Sequence, residues 1–163
     1  MSENVPEFII TRRLAAPIER VFAAWAEPEQ MVQWSGPPGA KVEIVEGEMA
    51  EGHSTISRST SEQMPEMYTL ALWREIAPHS RIAWEQSFCD EQGNKIMPPF
   101  FDAWPLTLLT TVDFAAKDGE TEITLRWTPI EYSEKALAEF VRQMAGMKQG
   151  WGGSFDKLDA FLA

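Results

Sequence analysis

Few side chains in this 163-residue chain could move a proton or attack a carbon. Acid–base work in a closed pocket needs titratable groups whose surroundings separate their pKa values. His53, His79, Glu75, Glu85, Asp102 and Arg126 are the candidates. His79 lies in a Pro78-His79-Ser80 turn, which leaves an imidazole in water. His53 follows Gly52 at the start of a strand and can point into the concave face of a sheet; a histidine satisfied by backbone or water is the ordinary alternative. Two distant histidines without a Glu-x-x-His pattern give no metal geometry. Cys89 stands beside Asp90, whose charge opposes a thiolate, so a nucleophilic role is not expected. Gly150-Trp151-Gly152-Gly153 lacks the Lys-Ser/Thr that completes a phosphate cradle. Neither a catalytic residue, a metal nor a cofactor is assigned.

Binding chemistry is better represented. Seven tryptophans are spread over nearly every segment. Indoles supply rigid apolar walls with one oriented donor each, which suits a pocket for a ring-containing or lipid-like molecule; filling the space between a sheet and a helix is the competing use. Trp25 and Trp127 lean toward core. The candidate ligand-binding set is Trp34, His53, Trp73, Trp84, Phe101, Trp104, Met144, Met147 and Trp151. Phe100, Phe101 and Trp104 sit in a proline-bounded loop, and Met147 and Trp151 sit near glycines in the last helix, so they are placed at an entrance. Methionines adapt to varied shapes, although they more often fill gaps.

These residues must be positioned by the following elements. Phe8 to Leu14 alternates as a strand. Ile18, Val21, Phe22 and Trp25 repeat at helical spacing after Pro17, and Pro28 opens a second short helix bearing Met31, Val32 and Trp34. Gly36-Pro37-Pro38-Gly39 is a loop. Period-two strands follow at 41–46, 53–59 (weakly hydrophobic), 67–76 and 81–88. The clearest hairpin pairs 106–114 with 121–127 around Lys117-Asp118-Gly119-Glu120, and Pro129 is expected to end it. Ser133 is a good N-cap. Leu137, Phe140, Met144, Met147, Trp151, Phe155 and Leu158 then mark one bulky face of a single helix running to Phe161, with a distortion expected at Gly150–Gly153. The class is α+β: a curved antiparallel sheet wrapped around a long C-terminal helix, with two short helices after the first strand. One domain is expected over residues 7–163, with 1–6 as a flexible lead-in.

Composition narrows the function classes. A formal charge of −11 repels phosphate backbones, so nucleic acid is not an expected partner. No apolar run approaches the ~20 residues of a membrane span. One cysteine excludes an internal disulfide. A soluble, cytoplasmic protein is expected.

Several motifs in sequence order carry a family resemblance. Arg13-Leu14-Ala15-Ala16-Pro17-Ile18-Glu19-Arg20-Val21-Phe22-Ala23-Ala24-Trp25 resembles the opening of the START-like, birch-pollen-allergen-like helix-grip superfamily (SRPBCC). Glu27-Pro28-Glu29 followed by Trp34-Ser35-Gly36-Pro37 is similar to the branch named after the activator of the heat-shock-protein-90 ATPase. Trp73-Arg74-Glu75-Ile76-Ala77-Pro78, the hairpin at 110–124, and Gly150-Trp151 with Phe155-x-x-Leu158 resemble that branch too. Glu51-Gly52-His53 and the segment Phe100 to Pro105 depart from its pattern. The resemblance implies a helix-grip fold that binds a small apolar or aromatic molecule between sheet and C-terminal helix. Two further classes stay open: a protein-interaction module of co-chaperone or regulatory kind, and a cyclase- or hydrolase-type enzyme. A chaperone partner is weakly supported, and a homodimer is left open.

Overall fold

The computed structural model describes residues 5–36, 39–63, 65–98 and 101–163. The chain runs β1 (Phe8–Leu14), α1 (Ile18–Ala26), α2 (Pro28–Trp34), β2 (Lys41–Gly47), β3 (Ser54–Thr60), β4 (Met67–Ala77), β5 (Arg81–Cys89), β6 (Thr107–Lys117), β7 (Glu120–Glu131), α3 (Glu134–Arg142) and α4 (Met144–Leu162). The seven strands form one antiparallel sheet in the order β1-β7-β6-β5-β4-β3-β2. Six strands are therefore a meander, and β1 closes against the last of them, with Phe8 opposite Trp127 and Leu14 opposite Thr121. The curved sheet carries α4 across its concave face, as expected from the apolar stripe.

Local chemistry explains the boundaries. Pro28 opens α2, where a missing N–H costs nothing. The Ser133 hydroxyl accepts the Ala136 amide and caps α3. Asp118 and Gly119 both take positive φ, 52° and 81°, the geometry of a tight two-residue hairpin turn. At Gly47 only glycine fits: φ is 93° and a Cβ would stand 1.9 Å from the Ser54 carbonyl oxygen.

Two expectations fail. The C-terminal segment is two helices, and the break is at Gln143 (φ −90°, ψ 1°) rather than at the glycines. The Gln143 amide is shared between the Glu139 and Phe140 carbonyls at 3.0 and 3.2 Å, a local tightening, and its side chain donates to Glu139. Gly150, Gly152 and Gly153 stay inside α4 with no positive φ. They lower helix propensity without breaking it. Pro129 does not end β7 either. Beyond Trp127 no β1 residue pairs with β7, so the proline ring occupies an edge that needs no donor, next to a register shift at Thr107/Leu108.

The core lies between sheet and helices. Phe155 and Leu158 of α4 are fully buried with Val21, Ile82, Val112, Ile123 and Leu125. Arg12 of β1 fastens the end of α4 by ion pairs to Asp159 (2.6 Å) and Asp156 (3.0 Å). No helix of the described residues is long and apolar enough to cross a membrane.

Candidate ligand-binding cavity

Alternation in the central strands sends every second side chain toward α4. On β4 these are Met67, Thr69, Ala71 and Trp73; on β5 they are Trp84, Gln86 and Phe88. Register then aligns Trp73 with Trp84, Trp84 with Thr110, and Thr110 with Trp127, so three indoles and a threonine form one row across four strands. From above, α1 contributes Trp25, α2 contributes Met31 and Trp34, and α4 contributes Met147, Gly150, Trp151 and Ser154 at helical spacing. Between these walls lies a cavity of about 410 Å³, within the range of small-molecule sites.

The indoles hold one another in fixed orientations. Trp25 packs edge-on to Trp34 with centroids 4.6 Å apart and nearly parallel to Trp151 at 6.3 Å. Trp151 meets Trp127 edge-on at 5.6 Å, and Trp73 lies 5.0 Å from Trp84. Three indole donors are spent inside the protein: Trp34 on the Ala24 carbonyl, Trp73 on Thr55 Oγ1, and Trp84 on Gln86 Oε1. The Nε1 atoms of Trp25 and Trp127, and the hydroxyl of Ser35, have no partner among the described residues.

The rim is built from the residues after α2, the β3–β4 turn and α4. Gly36 has φ 81°, and a Cβ there would meet Val42 Cγ2 at 2.9 Å. Its carbonyl accepts from Ser154 Oγ, and Lys157 Nζ donates to the Ser35 carbonyl at 3.0 Å. Partial burial holds the Lys157 ammonium below its ordinary pKa.

Five of the nine residues anticipated for binding line the cavity: Trp34, Trp73, Trp84, Met147 and Trp151. Trp25 and Trp127, read as core, line it as well. The other four lie elsewhere. His53 is exposed, with its Nδ1 3.9 Å from Glu48, although its carbonyl still accepts the Trp73 amide. Phe101 and Trp104 stack on each other at 4.5 Å, and Trp104 packs against Phe140 of α3. They anchor the β5–β6 loop to α3. Phe100 is outside the described residues. Met144 is half-buried at the first position of α4, one turn short of the cavity.

None of the titratable candidates lines the cavity. Glu85 turns to the opposite face of the sheet and pairs with Arg74 at 2.6 Å. Arg126 lies 3.8 Å from Glu7. The His79 ring, at an exposed turn, touches Phe22 edge-on. Burial, then the Asp90 charge, push the Cys89 thiol up to about 11. Among the described residues no group of three or more His, Cys, Asp or Glu could hold a metal ion.

What the sequence reading missed is the polar part of the wall. Thr55, Ser57, Ser59 and Ser61 line the cavity from one strand and its end. The pattern Thr-x-Ser-x-Ser-x-Ser was visible, but its low hydrophobicity reads as a weak strand.

Solved structures share this architecture. Protein Ms6760 from Mycobacterium smegmatis superposes with a TM-score of 0.80 at 21% identity, covering 98% of this chain and 91% of that one. A protein from Staphylococcus epidermidis gives 0.77 at 24% identity, with 99% and 92% covered. One from Arthrobacter aurescens gives 0.79 at 22% identity, with 97% and 86% covered. Identities this low establish the fold alone. No curated protein is significantly similar in sequence. Residues 15–163, from the end of β1 through α4, match the family described as Activator of Hsp90 ATPase homolog 1-like protein, and the chain belongs to that family.

Proposed function

We propose that the protein binds an uncharged, mainly apolar small molecule in the cavity between the sheet and α4. Family and fold support a ligand-binding or interaction module in general. One observation favours binding: a space of about 410 Å³ walled by six indoles, with no ionisable side chain among its described lining residues. Interiors are otherwise close-packed, and an apolar space of this size forgoes contacts that an occupant would supply. A charged ligand would lose its hydration without gaining a counter-charge. Side-chain acid–base chemistry would need a titratable group that this wall does not offer.

The test is a fluorescence titration with neutral N-phenyl-1-naphthylamine, following energy transfer from the indoles. The expected result is saturable binding at one site in the wild type and its loss in Gly150→Leu, which adds bulk on the α4 wall of the cavity while keeping a helical residue. Non-saturable partitioning, or equal binding by Gly150→Leu, overturns the reading and leaves the interaction module as the better account.

A further inference from the structure

The inward face of β3 is the anomaly of the cavity. Inward positions of a strand covered by helices are ordinarily apolar. Here they are Thr55, Ser57 and Ser59, continued by Ser61, while the apolar Ile56 points the other way and is buried on the convex side. On β4, Thr69 stands directly opposite Ser57 and lines the same space. The hydroxyls of Ser57, Ser59 and Thr69 make no hydrogen bond to any described residue. Two neighbouring groups are incompletely paired. Thr55, 2% exposed, accepts from Trp73 Nε1 at 3.1 Å, and its own proton has no acceptor among the described residues. Trp25, 3% exposed, lines the cavity with its ring, while its unpaired Nε1 is sealed inside the protein.

The cavity thus has two unlike sides. The indoles of Trp25, Trp127 and Trp151 make an apolar wall, and the hydroxyls of β3 and β4 make a polar strip. A hydroxyl both donates and accepts, so the strip matches hydroxyl or carbonyl oxygens equally well. Spacing is about 5 Å across the strands and about 7 Å along β3, the scale of oxygens set on one edge of one or two fused rings. A wholly apolar occupant would strip water from these hydroxyls and return nothing. An anionic one would meet no cation in the wall, because Lys157 is committed to the Ser35 and Gly36 carbonyls.

We infer that the ligand is an uncharged ring molecule oxygenated along one edge, with that edge on Ser57, Ser59 and Thr69 and its ring face on the indoles. This rests on the cavity being a binding site, and the test separates the two claims. Bound N-phenyl-1-naphthylamine is challenged with three compounds of one ring skeleton: 1,3-dihydroxynaphthalene, 1,3-dimethylnaphthalene of the same shape, and 1-naphthalenesulfonate. The wild type is compared with the triple variant Ser57→Ala, Ser59→Ala, Thr69→Val. The variant should lose about tenfold in affinity for the dihydroxy compound and keep or improve its affinity for the dimethyl compound. The sulfonate should displace the probe from neither protein. Ser59→Ala alone, at a half-buried position, should lose about threefold for the dihydroxy compound only, which keeps the test open if the triple variant folds poorly. An unchanged preference between dihydroxy and dimethyl compounds, with the fluorescent probe still bound, overturns the polar-edge inference and leaves cavity binding standing. Displacement by the sulfonate as effective as by the dihydroxy compound overturns the neutrality. No saturable probe binding in either protein overturns both readings.

Discussion

Ser154 of α4 donates its hydroxyl to the carbonyl of Gly36 at 2.8 Å, and these residues lie 118 positions apart in the chain. One turn further along α4, Lys157 reaches the neighbouring carbonyl of Ser35. The rim of the cavity is therefore pinned to the helix that forms its lid. Removing both donors with Ser154→Ala and Lys157→Met should destabilise by about 1–3 kcal/mol, two hydrogen bonds at the usual net value. It should also speed probe entry. Urea unfolding and stopped-flow fluorescence check the two effects; unchanged entry would show that the rim does not limit access.

Gly150 gives a prediction of opposite signs. A Cβ there would meet nothing within 4 Å, and the residue is helical and lines the cavity. Gly150→Ala should raise stability by up to about 1 kcal/mol through helix propensity. The residue sits on the cavity wall, so probe affinity should fall or stay level while the melting temperature rises. A drop in melting temperature would show a glycine requirement that the backbone angles do not reveal.

Phe155→Ala and Leu158→Ala should each cost about 2–5 kcal/mol, the range for large-to-small changes at sealed positions. Both side chains are 0% exposed. Denaturant curves within about 0.5 kcal/mol of wild type would contradict their burial.

Alkaline pH should expose Cys89. Its folded pKa is raised to about 11 from the ordinary 9.0, by burial and then by Asp90. Below pH 9 both states keep the proton. Between 9 and 11 the unfolded chain releases it and the folded chain retains it, so stability falls as pH rises. Cys89→Ala removes this slope. The stability advantage of wild type over the variant should shrink from pH 8 toward pH 10.5 in paired denaturation curves. Lys157, whose folded pKa is lowered, contributes the opposite slope in both proteins and cancels in the comparison.

The parts of the fold that were legible are those governed by neighbours in sequence. Lys117-Asp118-Gly119-Glu120 announced its turn because Asp118 and Gly119 tolerate positive φ. The period-two strands and the bulky face around Phe155 were read for the same reason. The break at Gln143 was not legible, since it involves no proline or glycine and arises from how the Gln143 amide and side chain settle on the previous turn. Of the candidate site, the indoles of Trp34, Trp73, Trp84 and Trp151 could be anticipated as wall. Phe101 and Trp104 could not be assigned, because a loop aromatic becomes an entrance or an anchor according to what it meets, and here it meets Phe140. The serines of β3 were passed over because polarity argues against burial until a cavity is seen beside them.

The pairing of β1 with β7 sets the order in which the molecule can assemble. Strands β2 to β7 each pair with the next in sequence, across short connections except for residues 90–106 between β5 and β6, and such local contacts form early. The first strand has no partner until the last one exists; Thr11 meets Thr124 across 113 residues. On a ribosome, Phe8 to Leu14 leaves the exit tunnel long before Thr121 to Trp127 is made. Its apolar side stays uncovered through most of synthesis. Arg12 of the same strand pairs with Asp156 and Asp159, so β1 links the closed sheet to the end of α4. A nascent chain stalled before β7 therefore carries β1 unpaired, a partly hydrophobic edge open to chaperones and to aggregation.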